Sequence, residues 1–301
     1  MFKWIKRKLT KRAKEKKTIT RNIRSIQRII DTSVKAERLQ YLAVNSEKSL
    51  ISEEKCLEFE LVVSLTTYSK RIHDVHLVIE SIGQQSVLAN RIILWLDENE
   101  FTLSSLPREL HNQIARGLEV RFCPNYKSFK KIIPALQEMP DAGIVTIDDD
   151  VLYAANTLDI LIREHRVNPG YVIGHRGHRI RFDSADKPLP YKQWDYAITE
   201  GEASHQIVLT GSGGILYPPG SLHKDVTDIK TFSNLCPHAD DLWLKVMAYR
   251  QGSICKKTDF SSGGLALMAN RDSGLAKINV RKGGNDKQFA KLVEHYCLKL
   301  K

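Results

Sequence analysis

Hydrophobic and polar positions alternate along the chain in blocks that predict strands and helices in turn. Short apolar runs at residues 59–65, 91–96, 118–122 and 143–147 predict buried strands. Between them, residues 75–84, 106–116 and 128–137 have the spacing typical of helices, and Pro134 interrupts the last of these. Strands that alternate with helices indicate a parallel sheet covered on both faces. Ligands of such sheets bind beyond the carboxyl ends of the strands.

A separate apolar stripe precedes this region, formed by Ile19, Ile23, Ile26, Ile30 and Val34. Its spacing of three and four residues predicts one face of a helix, flanked by Arg21, Arg24 and Arg28. The stripe is too short to establish a coiled coil, so we expect it to pack against the folded body, with a partner helix as the alternative. We therefore predict an N-terminal helical arm over residues 1–57 and a globular domain over 58–301, with halves at 58–153 and 154–301.

The charge of the chain is concentrated in this arm. Residues 1–50 contain 15 Lys and Arg against 4 Asp and Glu, and the rest of the chain contains 31 of each kind. A globular nucleic-acid binder carries its positive charge on the folded domain, so we expect no nucleic-acid partner. Residues 2–17 combine basic side chains with Phe2, Trp4, Ile5 and Leu9. This composition predicts either an amphipathic helix on an anionic membrane or a solvated terminus.

Cysteine usage and hydropathy bear on the compartment. The five cysteines, Cys56, Cys123, Cys236, Cys255 and Cys297, are scattered and show no metal-binding or redox spacing. They are expected to be reduced thiols. Residues 1–17 contain no apolar stretch of the kind found in a secretory signal, and no run approaches the length of a membrane span. We expect a cytoplasmic protein, with peripheral attachment to the inner face of the membrane as an extension of the arm hypothesis.

The strongest chemical motif is the run Asp148-Asp149-Asp150, which directly follows an apolar strand. Consecutive carboxylates repel one another, and a divalent cation relieves that repulsion. Mg²⁺ and similar cations are held in proteins by one or two carboxylates together with substrate phosphates. Asp148 and Asp150 lie on one face of an extended segment, so we predict that they bind the metal. A solvated turn that caps the next helix is the simpler alternative.

Three further segments add polar groups near predicted strand or helix ends. The segment 64–71 supplies hydroxyls, an aromatic ring and a guanidinium, which suit a base, a ribose and a phosphate. The segment 210–220 is rich in glycine, which allows close approach of the backbone to a ligand. Asp240 and Asp241 open a helix, where carboxylates also favour the helix dipole. No glycine-rich dinucleotide motif or phosphate loop of the Walker type is present.

Taken in this order, the four segments resemble those of nucleotide-sugar glycosyltransferases of the GT-A fold, of the family-2-like bacterial type. The resemblance covers about residues 58–260. It implies an α/β fold with a mostly parallel central sheet flanked by helices, and an N-terminal helical arm precedes that domain here. It also implies an enzyme that moves a sugar from a nucleotide-diphosphate donor to a glycan or lipid-linked acceptor in cell-surface polysaccharide synthesis.

The resemblance implies roles for individual residues. Asp148 and Asp150 correspond to the metal ligands, for Mn²⁺ or Mg²⁺, and Asp240 or Asp241 to the catalytic base of inverting members. The donor-binding positions are Thr66, Thr67, Tyr68, Arg71, Asp149, Gly213 and Gly214, and Lys131 is a further candidate whose alternative is a solvated helix face. A metal-dependent nucleotidyltransferase and a non-catalytic, membrane-associated scaffold are the competing functions.

Overall fold

The computed structural model of the chain describes residues 2–260, 264–267, 279–280 and 283–300, with side chains from residue 15 onward. A long first helix, α1 (Phe2–Asn45), leads into an alternation of short strands and helices. The first half contains β1 (Leu61–Thr66), α2 (Val75–Gly83), β2 (Arg91–Asp97), α3 (Arg108–Ile114), β3 (Leu118–Cys123), α4 (Ile133–Glu138) and β4 (Gly143–Thr146). The second half contains β5 (Val151–Leu152), α5 (Thr157–Val167), β6 (Val172–Gly174), β7 (Gly177–Arg179), β8 (Glu202–Ser204), β9 (Ile207–Leu209), β10 (Ile215–Tyr217), α6 (Ile229–Leu235), α7 (Asp240–Gln251), β11 (Cys255–Lys257), β12 (Leu265–Ala266) and α8 (Gly284–His295).

The main sheet has eight strands in the order β3-β2-β1-β4-β10-β6-β11-β8. Strands β3, β2, β1 and β4 pair in parallel, and β11 pairs in parallel with β6. Strand β10 runs antiparallel to both of its neighbours, and β8 runs antiparallel to β11. The expected architecture, a mostly parallel central sheet flanked by helices and preceded by a helical arm, is confirmed.

The order of the first four strands creates the position of the site. From β1 the chain builds outward through β2 to β3, and it then returns to place β4 on the other side of β1. The strand order therefore reverses between β1 and β4. A crevice opens beyond the carboxyl ends of the strands at such a reversal, and it is where ligands of open α/β sheets bind.

The elements predicted between residues 59 and 147 are all present, with one local difference. The segment expected as a helix over 128–137, interrupted by Pro134, is a 3-10 turn, Lys127–Lys131, followed by the short helix α4. Pro134 lies in the first turn of α4. Proline is tolerated there because the first helical amide groups have no partner within the helix, whereas further along it would break the ladder.

The C-terminal part of α1 belongs to the folded body. Leu39 and Ala43 are buried, and Leu50 and Leu57 join the same core. Lys35 also reaches the body, where its Nζ donates to the carbonyl oxygen of Tyr153 at 2.6 Å. The proposed boundary at residue 57 stays a prediction, although side chains on both sides of it share one core.

The apolar stripe of α1 lies on the side of the helix that faces away from the folded body. The expectation that the stripe packs against the body is therefore wrong. Its five side chains are between 50% and 63% exposed. The physical reason is direction: the residues of α1 that touch the body, Thr32, Leu39 and Ala43, face roughly 160° away from the stripe at 3.6 residues per turn.

A buried ion pair ties the end of α1 to the sheet layer. Arg116 donates from both terminal nitrogens to the two carboxylate oxygens of Glu80, each at 2.9 Å, and the Glu80 side chain is fully buried. Arg116 also donates to the carbonyl oxygens of Leu42 and Lys48. All five cysteines carry free thiols. Across the described residues, no helix is both long and apolar enough to cross a bilayer.

Candidate active site

Three chain segments converge at the crevice between β1 and β4. The residues after β1 approach the aspartate run after β4, and the beginning of α7 approaches from the second half of the chain. The two acidic clusters, Asp148–Asp150 and Asp240–Asp241, are about 90 positions apart in sequence but share a single cation. The structure therefore brings together most of the candidate residues of the sequence.

Asp149 is held firmly inside the protein. It is 6% exposed, its Oδ2 accepts from the hydroxyl of Thr67 at 2.7 Å, and its Oδ1 accepts from Arg71 at 2.5 Å. Burial raises the pKa of Asp149, and the charge of Arg71 acts against that rise. Asp149, Thr67 and Arg71 thus form a network that fixes the loop after β1 against the loop after β4.

Asp148 and Asp150 flank this anchor and are more open, with side chains 30% and 34% exposed. Asp150 lies 3.3 Å from Arg71, measured between Oδ2 and Nη1. Burial, together with the neighbouring charge of Asp148, raises the pKa of Asp150 to about 6. The backbone amide of Asp148 donates to the hydroxyl of buried Tyr153 at 2.9 Å. This loop is therefore anchored by hydrogen bonds at Asp148 and Asp149, and the carboxylates of Asp148 and Asp150 remain partly exposed.

Asp240 and Asp241 begin α7. Asp240 is 6% exposed, and its Oδ1 accepts from the hydroxyl of Ser128 at 2.9 Å. Asp241 is partly exposed, and its Oδ1 accepts from the backbone amide of Gly211 at 3.1 Å. Burial and the adjacent charge of Asp240 raise the pKa of Asp241 to about 8. A carboxyl group with a pKa in this range can accept a proton near neutral pH, as general bases do.

Lys131 lies between the two clusters. Its Nζ is 2.8 Å from Asp148 Oδ1 and 2.9 Å from Asp240 Oδ2, and its side chain is 7% exposed. Burial by itself lowers the pKa of Lys131, but the surrounding carboxylates, led by Asp148 and Asp240, raise it well above its ordinary value. The solvated helix face considered from the sequence is therefore excluded, since this ammonium group is buried and doubly paired.

Charge balance is the test of whether a metal fits. Five carboxylates occupy the site, and the cations within ion-pair distance of them, in the described part of the chain, are Arg71 and Lys131. Among described residues, no group of three or more His, Cys, Asp or Glu side chains is arranged as a complete metal site. Mg²⁺ and Mn²⁺ need only one or two carboxylates when phosphates and water complete their coordination. Asp148 and Asp150 fit that role.

The remaining candidates have varied positions. Thr66 donates to the carbonyl oxygen of Trp95 at 2.8 Å, and the ring of Tyr68 is 42% exposed with the Arg71 guanidinium 5.1 Å from its centroid. Gly213 packs so closely that a Cβ would lie 2.8 Å from the amide nitrogen of Arg176. Gly214 has a φ of 85°, which glycine adopts at little cost.

Gly211 is the glycine that touches the carboxylates, and the sequence did not single it out. A Cβ at this position would lie 2.8 Å from both Asp148 Oδ1 and Lys131 Nζ. Its amide also binds Asp241, so one residue contacts both acidic clusters. Any side chain here would displace the Lys131 bridge. Its position within a glycine-rich segment was the only signal in the sequence.

An aromatic surface next to Gly211 was also missed. Arg176 donates to the hydroxyl of Thr210 at 2.7 Å, and its guanidinium lies 5.3 Å from the ring centroid of Tyr196. Tyr196 is 57% exposed and stacks on buried His178 with ring centroids 4.1 Å apart. The ring of Tyr196 and the guanidinium of Arg176 therefore form a partly exposed surface beside the segment that holds Gly211.

Comparison with known proteins gives limited likenesses. No protein-family model matches the chain, and no curated protein matches it. Among solved structures, a mannosyltransferase from Pyrobaculum calidifontis in complex with GDP-Man and Mn²⁺ has a TM-score of 0.48 at 12% identity, over 89% of this chain and 72% of that one. A CMP:2-keto-3-deoxy-manno-octonic acid synthetase complexed with CTP has a TM-score of 0.39 at 12% identity, over 74% of this chain and 98% of that one. At this level of similarity the function has to be argued from the geometry of the site itself.

Proposed function

We propose that the chain is a metal-dependent glycosyltransferase that moves a sugar from a nucleotide-diphosphate donor to a glycan or lipid-linked acceptor. The observation that carries the proposal is the meeting of two acidic clusters across Lys131 at the strand-order reversal of the sheet. One cluster has the oxygen ligands for a cation and a diphosphate, and the other has a carboxyl group whose pKa suits a general base.

The donor binds at the carboxyl ends of β1 and β4 in this proposal. The exposed ring of Tyr68 stacks on the base, and the segment from Thr66 to Arg71 lines the nucleotide. Asp149 acts by fixing this segment, because both of its oxygens are already occupied by Thr67 and Arg71. Asp148 and Asp150 would hold Mn²⁺ or Mg²⁺, which supplies positive charge to the diphosphate as negative charge develops on the leaving group.

Asp241 is the base in the proposed reaction. It takes the proton from an acceptor hydroxyl while that oxygen bonds to the anomeric carbon. The bond from this carbon to the diphosphate oxygen breaks, and the nucleoside diphosphate leaves from the opposite face with inversion. Asp240 is less suited to this role, because Ser128 and Lys131 contact its two oxygens. Lys131 supports both clusters by holding Asp148 and Asp240 in fixed positions.

The acceptor approaches from the side of Tyr196 and Arg176 in this arrangement. Arg176 binds Thr210, and the next residue, Gly211, binds Asp241, so this surface adjoins the proposed base. The proposal includes a role in cell-surface polysaccharide synthesis at the inner face of the membrane. The basic residues 2–17 support it, because they would hold the enzyme near a lipid-linked acceptor.

Product analysis tests the proposal. A panel of nucleotide-diphosphate sugars is incubated with the full chain and Mn²⁺ or Mg²⁺, and the released nucleotide is separated by chromatography. A glycosyltransferase releases a nucleoside diphosphate and loses that activity in Asp241→Asn. A second panel combines nucleoside triphosphates with sugar phosphates. Release of pyrophosphate in that panel would instead show a nucleotidyltransferase. Absence of any turnover across both panels would favour the non-catalytic scaffold.

A further inference from the structure

The apolar stripe on α1 is an exposed surface that the proposed reaction does not use. Ile19, Ile23, Ile26, Ile30 and Val34 are at least half exposed on one face of the helix. Beyond the exposed Glu37, the same face continues through Tyr41, 67% exposed, and Val44, 39% exposed. At about 1.5 Å per residue, the stripe extends for roughly 38 Å. An apolar face of this length on a projecting helix, interrupted only by Glu37, indicates a partner surface.

The body of the same chain is not that partner. Residues 15–31 of α1 are exposed, so this part of the helix projects beyond the domain. Where α1 does pack on the domain, it uses the opposite face, with Thr32, Leu39 and Ala43. An isolated helix gains little stability from its own backbone hydrogen bonds, and its apolar face needs a second surface.

The charge pattern around the stripe favours another helix of the same kind over a lipid surface. Between Ile19 and Val34, the residues that border the stripe, which are Thr20, Asn22, Gln27 and Ser33, are uncharged. Arg21, Arg24 and Arg28 lie on the far side of the helix, roughly 150° from the stripe at 3.6 residues per turn. A helix lying on an anionic membrane places its cations beside the apolar face, where they reach the headgroups. Two copies of the segment from Ile19 to Val34 that face each other bring no like charges together, and Glu37 is the one charged side chain on the continuation of this face to Val44.

We propose that the chain self-associates through this stripe, with a second copy of α1 as the occupant, in parallel orientation. The spacing of the first four isoleucines matches alternating core positions of a heptad. Since each body lies on the face of α1 opposite the stripe, two parallel copies keep their bodies on the outside. The stripe then stays paired as far as Val44. This interaction is independent of the reaction proposed above.

The mass of the full chain in solution tests this interface. Across the micromolar range, sedimentation equilibrium is expected to give at least twice the 34.3 kDa mass of one chain. Ile26→Asp places a charge in the stripe and is expected to reduce the mass to that of one chain. Ser25→Asp adds the same charge one position away, on the far side of the helix, and is expected to leave the mass unchanged.

Disulfide crosslinking measures the relative orientation of the two copies of α1. In a Cys297→Ser background, Ile19→Cys is expected to form a covalent dimer on mild oxidation, because a residue at the end of the stripe meets its own copy only in a parallel pair. Ser25→Cys in the same background is the control and is expected to stay uncrosslinked. A wild-type chain that sediments as a monomer would overturn the proposal. Equal dissociation of the dimer by Ile26→Asp and Ser25→Asp would overturn it as well. The proposal would also be overturned if Ile26→Asp reduced binding to anionic vesicles but left the mass in solution unchanged.

Discussion

The clearest quantitative test concerns Asp241, where stability and activity are expected to move in opposite directions. Asp241 has a pKa of about 8 in the folded chain, against an ordinary value of 3.8, because burial and the charge of Asp240 disfavour its ionised form. The protonated form is therefore favoured by folding. Its contribution to stability is present below about pH 4 and is lost as the pH rises towards 8. Asp241→Asn removes this dependence because the amide does not titrate.

The size of the effect follows from the shift. A difference of about four pKa units corresponds to about 5 kcal/mol, at about 1.4 kcal/mol for each unit. Asp241 is partly exposed, and solvent screens part of this cost. We expect Asp241→Asn to raise the free energy of unfolding by about 2 kcal/mol at pH 8.5 and to leave it nearly unchanged at pH 4.

Urea unfolding of wild type and Asp241→Asn at the two pH values measures the effect. Asp240→Asn is the control with the opposite sign, since it removes one of the two partners of buried Lys131 and should destabilise the fold at pH 8.5. Nucleotide release by the wild type should rise with pH up to about 8, and Asp241→Asn should bind donor but release none. A stability difference that is the same at pH 4 and pH 8.5 would refute the burial argument.

Four further outcomes follow from the same structure. Asp150→Ala should abolish donor turnover, as EDTA should in the wild type, with thermal unfolding unchanged because the carboxylate is partly exposed; full activity in EDTA contradicts the metal hypothesis. Lys131→Met should lower the free energy of unfolding by about 3 kcal/mol, since two carboxylates lose their cation, and kcat should fall with it; an unchanged urea midpoint would argue against the bridge. Glu80→Gln should cost about 3 kcal/mol, or roughly 5 °C in Tm, because Arg116 stays buried without its charge partner; circular dichroism melting is the measurement, and a shift below 2 °C is inconsistent with this value. Deletion of residues 1–17 should release the chain from anionic liposomes at low salt and preserve turnover of a soluble acceptor, with equal co-sedimentation of both forms as the contrary result.

The sequence by itself determined the strands of the first half and the position of three carboxylates at the end of one of them. Apolar runs separated by helical spacing were sufficient to predict β1 to β4, because periodicity depends on which side chains of one segment share a face. The run Asp148–Asp150 at the end of a buried strand was equally local, since its carboxylates repel one another in any fold. Pro134 was expected to interrupt a helix over 128–137, but it lies in the first turn of α4, which begins at Ile133.

Only the tertiary structure decided which groups meet. The sequence left Lys131 as a donor-site candidate or part of a solvated helix face, and the structure makes it the bridge between two acidic clusters because the fold brings the ends of β4 and α7 together. Asp149 became an internal anchor because β1 lies beside β4. The stripe on α1 is the converse case, since a pattern shows that a face is apolar but not which surface will cover it. A local pattern shows which side chains of a segment are apolar or charged. Contacts between residues far apart in the chain decide which groups those side chains meet.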